Sequence, residues 1–354
     1  MCVSILILIG CVALYSATQG SGNDELIKQL VWLGISIPVM IGIIVLDYNT
    51  IIKFAPIGYG IILISLIAVL FTSPINGATS WFIMGPVSIQ PSEFAKIFVI
   101  LTLALTISKI QENGKDEISK PLKLGLSLLV VAIPILLIIK QPDYGTAIAF
   151  VVATIFMLYT SGINRKYIII SLILIIIALP LLYFFVLPEH AKIRIDVFLN
   201  PDIDPRGSGY NIIQSKLAIG SGQLFGMGIK QGNQTQLGYL YPKTTDFIFS
   251  VIGEEMGFIT AGLIIVLYVF MITKIIYIAK TAKDDKGSYI AIGIAGIFVF
   301  HMVENIGMTM GLLPITGVPL PFVSYGGSSL LTNLILIGLV LNISARRKKS
   351  LFIE

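Results

Sequence analysis

The 354-residue chain is 56% hydrophobic and only 12% charged, with a mean hydropathy of +0.92. That excludes a soluble globular domain, and repeated apolar runs near bilayer-crossing length point to an all-α polytopic membrane protein rather than a β-barrel. The net charge of +5 does not indicate nucleic acid, because Lys and Arg cluster between apolar runs, as loop charges that set topology do.

About ten transmembrane helices are expected, over residues 3–17, 26–46, 54–71, 93–107, 124–139, 144–159, 167–187, 246–278, 288–313 and 329–344. Cys2 and Cys11 both fall in the first run, so no disulfide framework is implied. Leu8 to Cys11 resembles a lipoprotein cleavage site, but no basic residue precedes Lys28, and the run reads as an ordinary span. A loop carrying Trp81 follows the third span, and a charged loop, residues 109–123, follows the fourth.

With a cytoplasmic amino terminus, the inside loops carry 15 of the 24 basic residues. This orientation puts both termini inside and residues 188–245 outside, as one long extracytoplasmic loop between spans seven and eight of a single domain, 1–354. No internal repeat is evident, which weakens a transporter reading.

Asp246 stands at the mouth of the eighth span. A carboxylate there is costly unless it faces protein or water, which marks it for function. The plainer reading is a helix cap, with Thr244 or Thr245 capping and Asp246 facing the positive end of the helix dipole. Glu254 and Glu255 lie about two turns deeper, and one of them should pack against a cation. Glu93 and Lys96, three apart at the start of the fourth span, can pair with each other; the alternative is that Lys96 meets a phosphate. Residues 141–146 read as a tight outside turn with Pro142 and Asp143 at the start of the sixth span.

The outside loop gathers Lys192, Arg194, Arg206, Lys216 and Lys230, with Lys243 at its end, among many glycines. Glycines let amides approach an anion closely, yet no nucleotide P-loop pattern occurs. Ile212, Ile213, Leu217, Ile219 and Leu224 suggest an amphipathic helix on the membrane surface, where contact with membrane lipids is the plain alternative to a diphosphate ligand. His190 and His301 have no second ligand at metal spacing. Residues 317–329, broken by Pro and Gly, should pack beside the same outside pocket.

Taken together, the blocks 90–96, 141–146, 204–215 with 218–222, and 317–329, with Thr245-Asp246-Phe247, resemble the SEDS family (shape, elongation, division and sporulation), and its RodA branch more than its FtsW branch. The resemblance implies a ten-span peptidoglycan glycosyltransferase of the bacterial cytoplasmic membrane. Such an enzyme polymerises lipid II on the outer face during elongation and rod-shape maintenance. It implies Asp246 as catalytic base, with Glu93, Lys96, Arg194 and Arg206 toward the substrate or its diphosphate; Lys243, Gln214 and Ser215 join them as candidate binding residues. A divalent metal ion, Mg or Mn, is a candidate helper; no organic cofactor is called for. The implied partners are lipid II, polyprenyl-diphosphate-linked glycan and a class B penicillin-binding protein. Two departures stand out. The Glu and His that often precede Thr-Asp-Phe are absent from Tyr241-Pro242-Lys243-Thr244, and Ser80 stands where an Arg is frequent. Rival readings are a lipid II flippase using Glu93, Glu254, Glu255 and Glu304, and a scaffold for a transpeptidase.

Overall fold

In a computed structural model, the structure describes residues 1–19, 22–74, 78–85, 87–186, 189–205 and 207–347, and these are mostly helical. In chain order come α1 (Cys2–Ala17), α2 (Asp24–Val45), a short α3 (Tyr48–Lys53) and α4 (Ala55–Val69). A hairpin of β1 (Phe82–Met84) and β2 (Val87–Ile89) precedes α5 (Pro91–Gln111), α6 (Pro121–Ile139), α7 (Tyr144–Thr160) and α8 (Arg165–Leu181). Then follow α9 (Glu189–Leu199), α10 (Ser208–Ser221), α11 (Asn233–Gln236), α12 (Ile248–Lys280), α13 (Asp285–Thr309) and α14 (Gly327–Ala345).

Five of these, α2, α6, α12, α13 and α14, are long and apolar enough to cross a membrane, and α1, α4 and α7 are shorter apolar helices. Proline opens α4, α5 and α6, where its missing N–H costs nothing. Asp47 caps α3 by accepting from the Asn49 amide, and Asp143 caps α7 by accepting from that of Thr146. Pro38 and Pro134 sit inside α2 and α6, as spanning helices allow.

The Trp81 loop holds an unexpected antiparallel hairpin, with Phe82 opposite Ile89 and Met84 opposite Val87. Three-residue strands are too short to show an alternating pattern. The expected unbroken span over residues 246–278 is corrected in two ways. The helix begins at Ile248, and it breaks at Gly257, whose φ of 78° and ψ of −179° no helix contains.

The chain forms two compact units. Unit one comprises Met1–Val31, Ile169–Met271 and His301–Gly326. Unit two comprises Trp32–Ile168, Ile272–Phe300 and the chain from Gly327 onward. In unit two α5 is the core helix, packing against α4, α6, α7 and α14. The last carbonyls of α2 are answered from α14 and its end. Asn342 Nδ2 donates to Ile43 and Leu46, and Arg346 to Ile44 at 3.2 Å and Val45 at 2.8 Å.

Candidate active site

Asp246 belongs to unit one and lies in the turn two residues ahead of α12, outside the helix, so it is not the dipole-facing first residue of a span. The strip 315–325, which follows α13, grips the main chain around it. Asn305 Nδ2 donates to the Asp246 carbonyl at 3.0 Å and to the Val318 carbonyl at 2.8 Å. Ser324 Oγ donates to the Thr245 carbonyl at 2.6 Å, and the Tyr325 amide to the Thr244 carbonyl at 2.9 Å. Gly317 lies beside the carboxylate, since a Cβ there would lie 3.4 Å from Oδ2. The expected packing of this Pro/Gly turn beside Asp246 therefore holds for residues 317–325.

Arg194, on α9, donates to the Ile315 carbonyl of the same strip at 3.5 Å. Asp246 keeps part of its surface open. The protein around it nevertheless desolvates the carboxyl and pushes it up to about 6, against a Thr245 hydrogen bond and the Arg194 charge, which both pull it down. A carboxylate poised there can take a proton near neutral pH.

The other loop residues divide. Lys243 is half-buried and donates to the Thr235 carbonyl at 3.0 Å. Burial lowers its pKa, and the charges of Glu255 and Glu25 act the other way. Gln214 is half-buried on α10. Ser215 is wholly buried, bonded to Ser250 Oγ at 2.6 Å and to the Thr309 carbonyl at 2.6 Å, so its hydroxyl holds α10 in place instead of facing a ligand. Ile212, Ser215 and Ala218 form the buried face of α10. The helix is thus seated in unit one, which corrects the expectation that Ile212 lies on the membrane. Arg206 lies outside the described residues.

Glu254 and Glu255 are tied chiefly by hydrogen bonds, and Glu255 also acts through its charge on Lys243. Glu254 accepts from the Gln234 amide at 2.7 Å, the Thr235 amide at 2.9 Å and Thr235 Oγ1 at 2.6 Å. Glu255 accepts from Gln236 Nε2 at 2.7 Å. Their described hydrogen-bond partners are amides and a hydroxyl, not a cation, and they tie α11 to α12. Glu254→Ala strands three donors, two of them buried. It should cost on the order of 3 kcal/mol and speed hydrogen exchange at residues 233–236; unchanged exchange there would refute the tie.

In unit two, Lys96 Nζ donates to both Glu93 oxygens, at 2.8 and 2.9 Å, and is wholly buried. Thr332 Oγ1 donates to Glu93 Oε2 at 3.0 Å. Of the two readings of this pair, these contacts describe the ion pair. Beside it Asp143 accepts from Gln90 Nε2 at 3.0 Å and Ser92 Oγ at 3.3 Å, beyond its cap of α7. Burial raises its pKa, with Thr146 pulling it back and the Glu93 charge adding to the rise.

Among the described residues, no group of three or more His, Cys, Asp or Glu is gathered as a metal site. Asp246 could offer a divalent ion one carboxylate, the rest of its shell coming from substrate oxygens and water. His301 is buried with Nδ1 3.1 Å from the Pro319 carbonyl, another contact on the strip. Asn305 was missed as a site residue. Its signal was present, since an amide within an apolar helix must find partners.

The family model described as "Cell cycle protein", FTSW_RODA_SPOVE, matches residues 1–349. Peptidoglycan glycosyltransferase MrdB of Escherichia coli is 36% identical over 352 residues, covering 98% of this chain and 94% of its own. Stage V sporulation protein E of Bacillus subtilis is 37% identical over 353 residues, covering 96% and 94%. Among solved structures, a chain of a peptidoglycan synthase complex that coordinates polymerization and crosslinking superposes with a TM-score of 0.83 at 27% identity, covering 98% of this chain and 97% of its own. The rod shape determining protein RodA of Thermus thermophilus superposes with a TM-score of 0.73 at 28% identity, covering 98% and 96%.

Proposed function

Because the chain belongs to the FtsW/RodA/SpoVE family, we propose that Asp246 is the general base of its polymerisation step. The chain is a peptidoglycan glycosyltransferase, and its RodA-type relatives fit a role in elongation. The observation that carries the assignment is the Asp246 carboxylate itself, part-open, gripped by its main chain and poised near pH 6.

Asp246 takes the proton of the 4-hydroxyl on the acceptor lipid II sugar. That oxygen attacks the anomeric carbon of the donor glycan. The bond from that carbon to the polyprenyl diphosphate breaks, and its electron pair leaves with the diphosphate. An α-linked donor gives a β-1,4 bond, with inversion. Arg194 and Lys243, with Arg206 and Gln214 from the same region of the chain, would meet the charge that develops on the leaving group. Glu93 and Lys96 serve as a buried pair that holds the start of α5.

The remaining assignments belong to the same reading. The chain makes ten crossings with both termini cytoplasmic, and residues 188–245 and Asp246 face outward, as the distribution of basic residues supports. The partner is a class B penicillin-binding protein transpeptidase, which the likeness to a chain of a peptidoglycan synthase complex supports.

Purified protein incubated with lipid II should yield glycan chains on a gel, whereas lipid crossing liposomes with no glycan formed would favour a flippase. The pH profile adds a sharper test. The base works ionised, so the rate should fall as pH drops through about 6. Between pH 7 and pH 5 the ionised fraction falls about tenfold, and the rate with it. A profile flat down to pH 5 would remove Asp246 as the titrating base.

A further inference from the structure

The break in α12 leaves four backbone groups without helical partners, and each meets one group of the loop 223–228. The Phe258 amide donates to the Gln223 carbonyl at 2.8 Å, and the Ile259 amide to that of Leu224 at 3.2 Å. The Met227 amide donates to the Glu254 carbonyl at 2.9 Å, and the Gly228 amide to that of Glu255 at 3.0 Å. The two backbones touch with no room for side chains. A Cβ on Gly222 would fall 1.9 Å from the Gly253 carbonyl oxygen, and one on Gly226 2.2 Å from that of Glu255.

This contact fixes the level of the loop along α12. Below Glu255, residues 256–273 run without a charge until Lys274. Past the break, residues 258–273 make about 24 Å of helix, approaching the ~30 Å of a hydrocarbon core. Phe258 and Ile259 stand in the first turn of that run and are 69% and 54% exposed. At the same level, on the loop, Leu224 is 57% and Phe225 79% exposed. Irregular backbone is excluded from hydrocarbon when its polar groups are unpaired, but here the broken helix pairs the carbonyls of Gln223 and Leu224 and the amides of Met227 and Gly228.

We propose that residues 223–228 form a re-entrant loop seated at the edge of the hydrocarbon core, with Leu224 and Phe225 anchored among lipid acyl chains. The occupant is lipid because the exposed face runs without interruption onto Phe258 and Ile259 of α12. The inference rests on α12 crossing the membrane and is independent of the catalytic assignment. It places an apolar anchor in a segment that topology alone assigns to water.

Site-directed spin labelling in phosphatidylcholine–phosphatidylglycerol vesicles tests it. Cys2→Ser and Cys11→Ser clear the background, and a single label is carried by Phe225→Cys, by Ile259→Cys as the lipid reference, or by Asp202→Cys as the water reference. Label collisions with oxygen, which partitions into lipid, are compared with those of a water-soluble nickel chelate. The oxygen-to-nickel ratio at 225 should match that at 259 and exceed that at 202 several-fold. A ratio at 225 like that at 202, with 259 still lipid-like, overturns the proposal. A label at 225 shielded from both reagents does so too, by showing protein on the loop. A water-like ratio at 259 would sink the spanning premise itself.

Discussion

Asp246→Asn should lower lipid II polymerisation by about 10²–10⁴-fold, the usual worth of a positioned general base, while the protein melts no lower than its parent. The first half follows from the loss of a proton acceptor. The second follows from how the residue is held, because Asn305, Ser324 and Tyr325 grip the carbonyls of Asp246, Thr245 and Thr244, which the substitution leaves alone. Charge adds to it. The folded protein raises this carboxyl from 3.8 to about 6, so the stability linked to the neutral form is complete below 3.8 and is lost as pH rises through 6. At pH 7 a neutral amide avoids that penalty. Gel assay and melting curves on the same detergent-purified sample check both halves. A variant that polymerises at the parental rate would end the assignment, and one that loses activity together with its fold would leave the residue merely structural.

Lys96→Met should destabilise unit two by about 3–5 kcal/mol, because it leaves a buried carboxylate without its cation. Glu93 would keep the hydrogen bond from Thr332 but lose both contacts to the ammonium. The double change Glu93→Gln with Lys96→Met should recover much of the loss, since an amide still accepts from Thr332 and the unpaired charge of Glu93 is gone. Melting temperatures of the three variants in one detergent decide it. A single Lys96→Met variant as stable as the parent would show that the pair carries nothing.

The apolar helices were legible because bilayer length and charge spacing are written residue by residue. Residues 124–139 and 144–159 match α6 and α7 within a few positions at their ends. The Asp246 region was legible for a different reason, because a carboxylate at a span mouth is conspicuous. What escaped was the backbone. Gly257 looks like any small residue in an apolar run, and its broken turn depends on the loop 223–228 that meets it. The partners of Glu254 lie 19 and 20 residues upstream and are mostly main-chain amides, which no pattern of side chains announces. The burial of Ser215 escaped for the same reason, as it depends on Ser250 and Thr309 meeting α10.

The answer to the end of α2 comes about 300 positions later, from Asn342 and Arg346. Protein synthesis delivers those residues long after α2. While the ribosome is still making the intervening helices, the carbonyls of Ile43 to Leu46 have only water to bond to. The end of α2 is therefore sealed only once α14 has been made, and a chain that stops before α14 leaves that seam open.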